Sequence, residues 1–159
     1  MTFEPTAASP TPPASAAPPL PGAVSDNVGY LLAKAHLAAR EIGNEALEEV
    51  GLEVREFGSL AILEDEGTIS QQRLSLLLRC DRTTMVAIVD HLEAEGLVKR
   101  KRNPADRRAY ALEITPEGRR TLKRAKTLIK GAHENLLHAL SASERAELAE
   151  LLRRILASA

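Results

Sequence analysis

Six lysines and arginines crowd positions 99–108 (Lys99, Arg100, Lys101, Arg102, Arg107 and Arg108), with one acid, Asp106, and a turn-forming Asn103-Pro104 pair among them. Cations on a short turn suit a polyanion, because a rigid turn can push a guanidinium into a duplex minor groove about 6 Å wide, where the negative potential is enhanced. A second set lies just upstream. Arg82, Thr83 and Thr84 follow Asp81 at the start of a helical pattern, where hydroxyls, a guanidinium and the helix N-terminus can approach a phosphate or a base edge. Each set alone has a plainer reading, since a charge run is usually a solvated face and threonines at a helix start are ordinary capping chemistry. Lying within one element of each other, the two sets point to the same ligand. Other chemistries find no support: there is no nucleophile-base pair, no phosphate-binding glycine loop and no clustered carboxylates, so no enzyme and no cofactor are expected. His133 and His138 are five apart on one helix and share no face, and Cys80 is the single cysteine, so no metal site is expected either.

The charge distribution supports a polyanionic partner although the 159-residue chain carries a net charge of only −1. Between Lys99 and Lys126 eleven Lys or Arg face three acids, a local charge of +8 that leaves −9 for the rest. On the helix after the hairpin, Arg119, Arg120, Lys123 and Lys126 read as a solvated face. The length suits one domain with a real core. One cysteine excludes an intrachain disulfide, no stretch of about 18 apolar residues could span a bilayer, and no basic, then apolar, secretory leader is evident. The expectation is a soluble, cytoplasmic protein without a membrane partner.

Residues 1–22 hold seven of the nine prolines, interleaved with Ala, Ser and Thr, a composition that cannot offset its ordering entropy and reads as a disordered tail. From Val24 to about Glu49, Val28, Leu31, Leu32, Ala35, Ala39 and Ile42 recur at helical spacing, up to Gly51. A second helix is expected from Glu53 to Asp65 with Val54, Phe57, Leu60, Ala61 and Leu63 inward. Ser70 should cap a short third helix with Leu74, Leu77 and Leu78 buried. Asp81 should cap a fourth in which Met85, Ile88, Val89 and Leu92 face the core, turning Arg82, Thr83, Ala87 and Asp90 outward at about 100° per residue. Gly96 stops it. Two strands follow, the second with Tyr110, Leu112 and Ile114 on one face. Thr115-Pro116 opens a long helix to about Ala139, and the capping box Ser141-Ala142-Ser143-Glu144 opens a last one.

The order is four helices, a hairpin and two helices: a mainly α chain with a small β-hairpin. Two short helices followed at once by a hairpin with a cationic tip is the layout of a winged helix-turn-helix, whose second short helix enters the major groove while the hairpin tip reaches a neighbouring groove or the backbone.

The stretch RTTMVAIVDHLEAEGLVKRKRNPADRRAYALEITPEG, residues 82–118, resembles the winged-helix core of the MarR family of bacterial transcription regulators, through LEAEGLVKR and through an Asp-x-Arg wing followed by L-x-I-T-x-x-G. With similar flanking helices, the resemblance covers about residues 24–157. It implies an intertwined homodimer of about six-helix subunits: a tail at 1–22, a dimerisation helix at 23–50, the winged core at 51–118 and dimerisation helices at 119–159. The amphipathic terminal helices, lacking a partner inside a small DNA-binding head, agree. Twofold pairing would match a pseudo-palindromic operator with half-sites about 34 Å apart. The resemblance makes Asp106 the wing acid, Arg108 the arginine that enters the minor groove and Arg107 the variable middle position, with Asp106 aiming Arg108. The full set of candidate DNA contacts is Ser70, Gln72, Arg82, Thr83, Thr84, Ala87, Lys101, Arg102, Asp106, Arg107 and Arg108.

Members of the family commonly respond to small lipophilic or phenolic anions, which nominates Tyr30, His36, Arg40 and Phe57 around an effector pocket; each also has a plain reading as a core or interface residue. A subgroup that binds purine-type ligands uses a tryptophan in the first helix, and this chain has no Trp. Two alternatives to an effector-responsive repressor stay open: an architectural or protein-interaction module on the same fold, and a redox-responsive regulator acting through Cys80, which competes with a structural role for that thiol in the turn.

Overall fold

A computed structural model describes residues 21–102 and 110–158. The expected tail and the wing tip at 103–109, with Asp106, Arg107 and Arg108, therefore lie outside the described residues. Helices α1 (Gly22–Ser25), α2 (Val28–Leu47), α3 (Val54–Glu66), α4 (Gln71–Leu78), α5 (Arg82–Ala94), α6 (Pro116–Leu136) and α7 (Ala142–Ser158) are interleaved with strands β1 (Ile69–Ser70), β2 (Val98–Arg102) and β3 (Tyr110–Ile114). The chain divides into two units, one up to Ala35 and one from His36 to Ala159. Among the described residues no helix is long and apolar enough to cross a membrane.

In the first unit the helix expected from Val24 is interrupted. A single turn, α1, ends at Ser25, and α2 begins at Val28, where the Asn27 side chain accepts the Tyr30 N–H at 2.9 Å and so supplies a cap that the apolar spacing does not show. The second unit carries the core. Leu47, Leu60, Leu63, Leu74, Leu92 and Leu112 are wholly buried there, drawn from five different elements. A 3-10 turn at Glu48–Val50 links α2 to Gly51, whose φ of 65° lies in the left-handed region that glycine enters without strain.

The hairpin is one part of a three-stranded antiparallel sheet ordered β1-β3-β2, with Ile69 opposite Leu112 and Arg100 opposite Leu112 on the other side. The two-residue β1 escapes a sequence reading because two residues show no alternation. Tyr110 departs from its expected inward face: it is exposed at the last paired position of the ladder, opposite Arg102, while Leu112 and Ile114 are buried. In α4 only Leu74 is buried; Leu77 is exposed and Leu78 half-buried, because two helical turns turn only one residue fully to the core. Helix α6 stops at Leu136, three residues before the expected Ala139, as Leu137 leaves helical geometry. The box at Ser141 forms as expected, with the Ser141 N–H donated to Glu144 at 2.7 Å and the Glu144 N–H returned to Ser141 Oγ at 3.4 Å.

The residues of the L-x-I-T-x-x-G motif lock the end of α5 to the start of α6. Thr115 donates its N–H to Leu97 O at 3.0 Å and its hydroxyl to Gly96 O at 2.7 Å, while its Oγ1 accepts the Gly118 N–H at 3.0 Å as the cap of α6. Gly118 is buried against Leu97: a Cβ there would overlap the Leu97 carbonyl oxygen and lie 2.8 Å from Ile114 Cγ1. Its freedom from a side chain, rather than any unusual φ, is what the junction requires.

Candidate nucleic-acid interface

Helix α5 is held from beneath by the stripe the sequence indicates: Met85, Ile88, Val89 and Leu92 are all buried. Its other face, with Arg82, Thr83, Ala87 and Asp90, is exposed. Asp81 caps the helix twice, accepting the Thr84 N–H at 2.9 Å and the Thr84 hydroxyl at 2.6 Å. The Thr84 hydroxyl proton is thus committed to the cap. The same side-chain bond from Thr84, reinforced by its backbone N–H, lowers the Asp81 pKa. The sign follows: a carboxyl depressed in the folded state stabilises above its unfolded value, about 4, and that contribution fades as pH falls through the folded value. Asp81→Ala is expected to lower Tm by a few degrees at neutral pH, whereas Asp81→Asn, which caps without titrating, should keep the neutral Tm and lose part of its acid dependence; thermal melts across pH 3–7 check both.

The turn before α5 is built by Arg79 in the left-handed region, φ 51°, and by the Ser75 hydroxyl donating to Cys80 O at 2.7 Å. Cys80 is half-buried and packs against the core. Ser70 accepts the Arg73 N–H at 3.1 Å as the cap of α4, and Gln72 is exposed beside it.

On β2, Lys99, Arg100 and Lys101 are tied to carboxylates. Lys99 lies 3.3 Å from Glu113, Lys101 pairs with the other oxygen of the same carboxylate, and these lysines, Lys101 foremost, lower the Glu113 pKa. Arg100 reaches across to α5, with Nη2 on Asp90 at 2.5 Å and Nη1 on Glu93, and the Asp90 bond is the main reason its pKa is raised. Arg102 is described only as the partner of Tyr110 in the strand register. Further along, Arg120, Arg124 and Lys126 pair with Glu117, Glu49 and Glu64 at exposed positions, as a solvated face should. The carboxylates on α5 and β3 that meet the β2 cations are a feature the local +8 conceals.

Of the nominated effector residues, Tyr30 is half-buried, with Lys34 Nζ 5.4 Å from its ring centroid, and His36 and Arg40 are exposed on α2. Phe57 lines an open cavity of about 330 Å³ with Lys126, Lys130, His133, Glu134, Leu137 and Arg145. Those partners, from α6, the residue that closes it and the start of α7, lie outside the sequence nomination. No group of three or more His, Cys, Asp or Glu suited to a metal occurs among the described residues.

The MarR family model matches residues 52–110, from two residues before α3 to the first residue of β3. The HTH-type transcriptional repressor NicR of Pseudomonas putida is 31% identical over 135 residues, spanning 85% of each chain. The chain belongs to the MarR family. Among solved structures, that of CouR, a transcriptional repressor bound to a 23-mer DNA duplex, superposes with a TM-score of 0.79 at 35% identity, covering 84% of this chain and 95% of that one. CouR from Rhodococcus jostii RHA1 bound to p-coumaroyl-CoA superposes with a TM-score of 0.74 at 29% identity, over 85% and 95%. As a MarR-family member with this fold, the chain is a winged helix-turn-helix transcription regulator.

Proposed function

We propose that this MarR-family chain is a cytoplasmic, homodimeric repressor that binds a pseudo-palindromic operator and is regulated by a small lipophilic or phenolic anion. The carrying observation is the split character of α5: four buried residues anchor one face to the core, while Arg82, Thr83 and Ala87 stand exposed on the other, joined through β2 to the wing. In this reading α5 enters the major groove, Arg82 and Thr83 reach base edges and phosphates near its N-terminus, Ser70 and Gln72 meet the backbone, and Lys101, Arg102, Arg107 and Arg108 serve the wing. The segments 23–50 and 119–159 form the dimer. Leu37 on α2 and Leu151, Ile155 and Leu156 on α7 are exposed in a single chain, and a second copy would bury them.

The effector class rests on the cavity beside Phe57, where Phe57 and Leu137 offer apolar surface and Lys126, His133 and Arg145 offer cationic or hydrogen-bonding groups that outnumber the one acid, Glu134, which lies 3.9 Å from Lys130. The CouR relative is solved with p-coumaroyl-CoA, whose acyl group, though not the whole thioester, is phenolic. The test is selection from a random duplex library followed by footprinting. The reading expects two inverted half-sites centred about 34 Å apart, with protection spread over one face of the duplex. A single unpaired half-site would contradict the dimer, and failure to enrich any sequence would contradict specific recognition.

A further inference from the structure

Arg100 lies among the cations of the wing, yet its surroundings differ from those of a phosphate contact. Its side chain is only 24% exposed. One nitrogen of its fork bonds Asp90 at 2.5 Å, a second bonds Glu93, and its backbone N–H is donated to Glu93 Oε1 at 3.3 Å. Asp90 and Glu93 are three apart on α5 and so lie one above the other on one face. Arg100 sits opposite Leu112 in the ladder, two residues before the last described residue of β2. A single side chain therefore ties two successive points on the recognition helix to the strand that leads into the wing.

We propose that Arg100 is a positioning residue for operator reading: it fixes the angle between α5 and the wing, and does not itself bind phosphate. The inference rests on the proposed docking of α5 and the wing into neighbouring grooves. Two elements must then be placed at once, and supporting groups that hold such elements to a fraction of an ångström decide specificity more than stability. Partly exposed ion pairs contribute little to stability, so stability alone does not explain three bonds converging on one residue. The pairing also explains the carboxylates. Asp90 is on the exposed face of α5, where an unpartnered acid would repel the DNA backbone; satisfied by Arg100, it becomes an anchor. The fork serves the two carboxylates from separate nitrogens, Nη2 and Nη1, a spread that the single nitrogen of lysine lacks, so lysine is not an equivalent.

The test uses the full chain and two probes: the duplex that the native chain selects from a random library, and calf thymus DNA. Arg100→Lys keeps the charge and loses the fork. It should weaken binding to the selected duplex about tenfold, the effect of one misplaced base contact, and leave binding to calf thymus DNA unchanged. Arg100→Gln should do the same to the selected duplex without lowering its salt slope, because no phosphate contact is lost. The Asp90→Asn, Glu93→Gln pair approaches the tie from the helix side, so a fold defect in an Arg100 variant does not leave the question open. Although it removes two negative charges, it too should lower the ratio of selected to bulk affinity. The proposal is overturned if Arg100→Lys binds the selected duplex like the native chain, if Arg100→Gln reduces the salt slope by about one, or if the helix-side pair leaves the ratio unchanged. If the native chain selects no sequence, the docking reading itself fails, an outcome distinct from any of these.

Discussion

Gly118→Ala should lower the melting temperature by roughly 4–8 °C at fixed protein concentration, corresponding to about 2 kcal/mol. Two effects oppose each other. In the first turn of a helix alanine is favoured over glycine by up to about 1 kcal/mol, which would stabilise α6. Against this, the added methyl would overlap the Leu97 carbonyl oxygen, a backbone atom fixed by the Thr115 N–H, and would press on Ile114 Cγ1 at 2.8 Å. Overpacking against atoms that cannot turn aside costs about 1–3 kcal/mol and sometimes more, so the clash outweighs the helix preference. Relief must come from separating α6 from the end of α5. Loss of α5 alignment, and with it of duplex affinity, should therefore accompany the thermal shift. Differential scanning calorimetry gives the first effect. An unchanged or raised melting temperature would mean that the junction yields more readily than its hydrogen bonds indicate.

Arg108→Ala should weaken binding to the selected duplex tenfold to a hundredfold, the range set by about 1–3 kcal/mol for a well-placed groove contact. This expectation rests on the Asp-x-Arg pattern of the wing and on the minor-groove potential that draws a guanidinium inward. The informative companion is Asp106→Ala. Charge alone predicts tighter binding when an acid beside a polyanion is removed; aiming predicts weaker binding, because an unpartnered arginine samples many rotamers before it docks. Fluorescence anisotropy on the two variants separates the cases. Stronger binding by Asp106→Ala would remove the aiming role and leave Arg108 as an independent contact.

How far the sequence reaches can be followed through particular residues. The buried stripe of α5 is fully legible, because Met85, Ile88, Val89 and Leu92 repeat at the helical period and nothing competes with that pattern. So are the caps at Ser70, Asp81, Thr115 and Ser141, each a small polar residue ahead of an apolar run. Where the signal is weak, structure and expectation part. The break at Asp26-Asn27 interrupts an otherwise continuous apolar spacing, and β1 is two residues long. Tyr110 follows the alternation of its strand but stands beyond the part of the ladder that the core covers. The site shows the same division. Arg82, Thr83 and Ala87 follow from the wheel once the inward face is known, while the effector-side partners of Phe57 come from α6, the turn after it and α7, more than sixty residues away in sequence. Charge counting locates the basic segment but cannot pair it. That Asp90 and Glu93 reach Arg100, and that Glu113 serves two lysines, depends on a helix and two strands meeting in space. For the same reason the glycine of the L-x-I-T-x-x-G motif could be recognised without its cause, which is the approach of the Leu97 carbonyl.

The central claim, that this chain reads duplex DNA through α5 and its wing, is tested most directly by a salt titration of binding to the selected duplex and to a scrambled duplex of equal length. The account predicts that log affinity falls linearly with log salt with a slope of several units for both, since several Lys and Arg meet phosphates. It also predicts that the selected duplex stays about a thousandfold or more tighter at physiological salt. A flat salt dependence with equal affinity for the two duplexes would contradict it, and would favour a winged fold used for protein contacts instead.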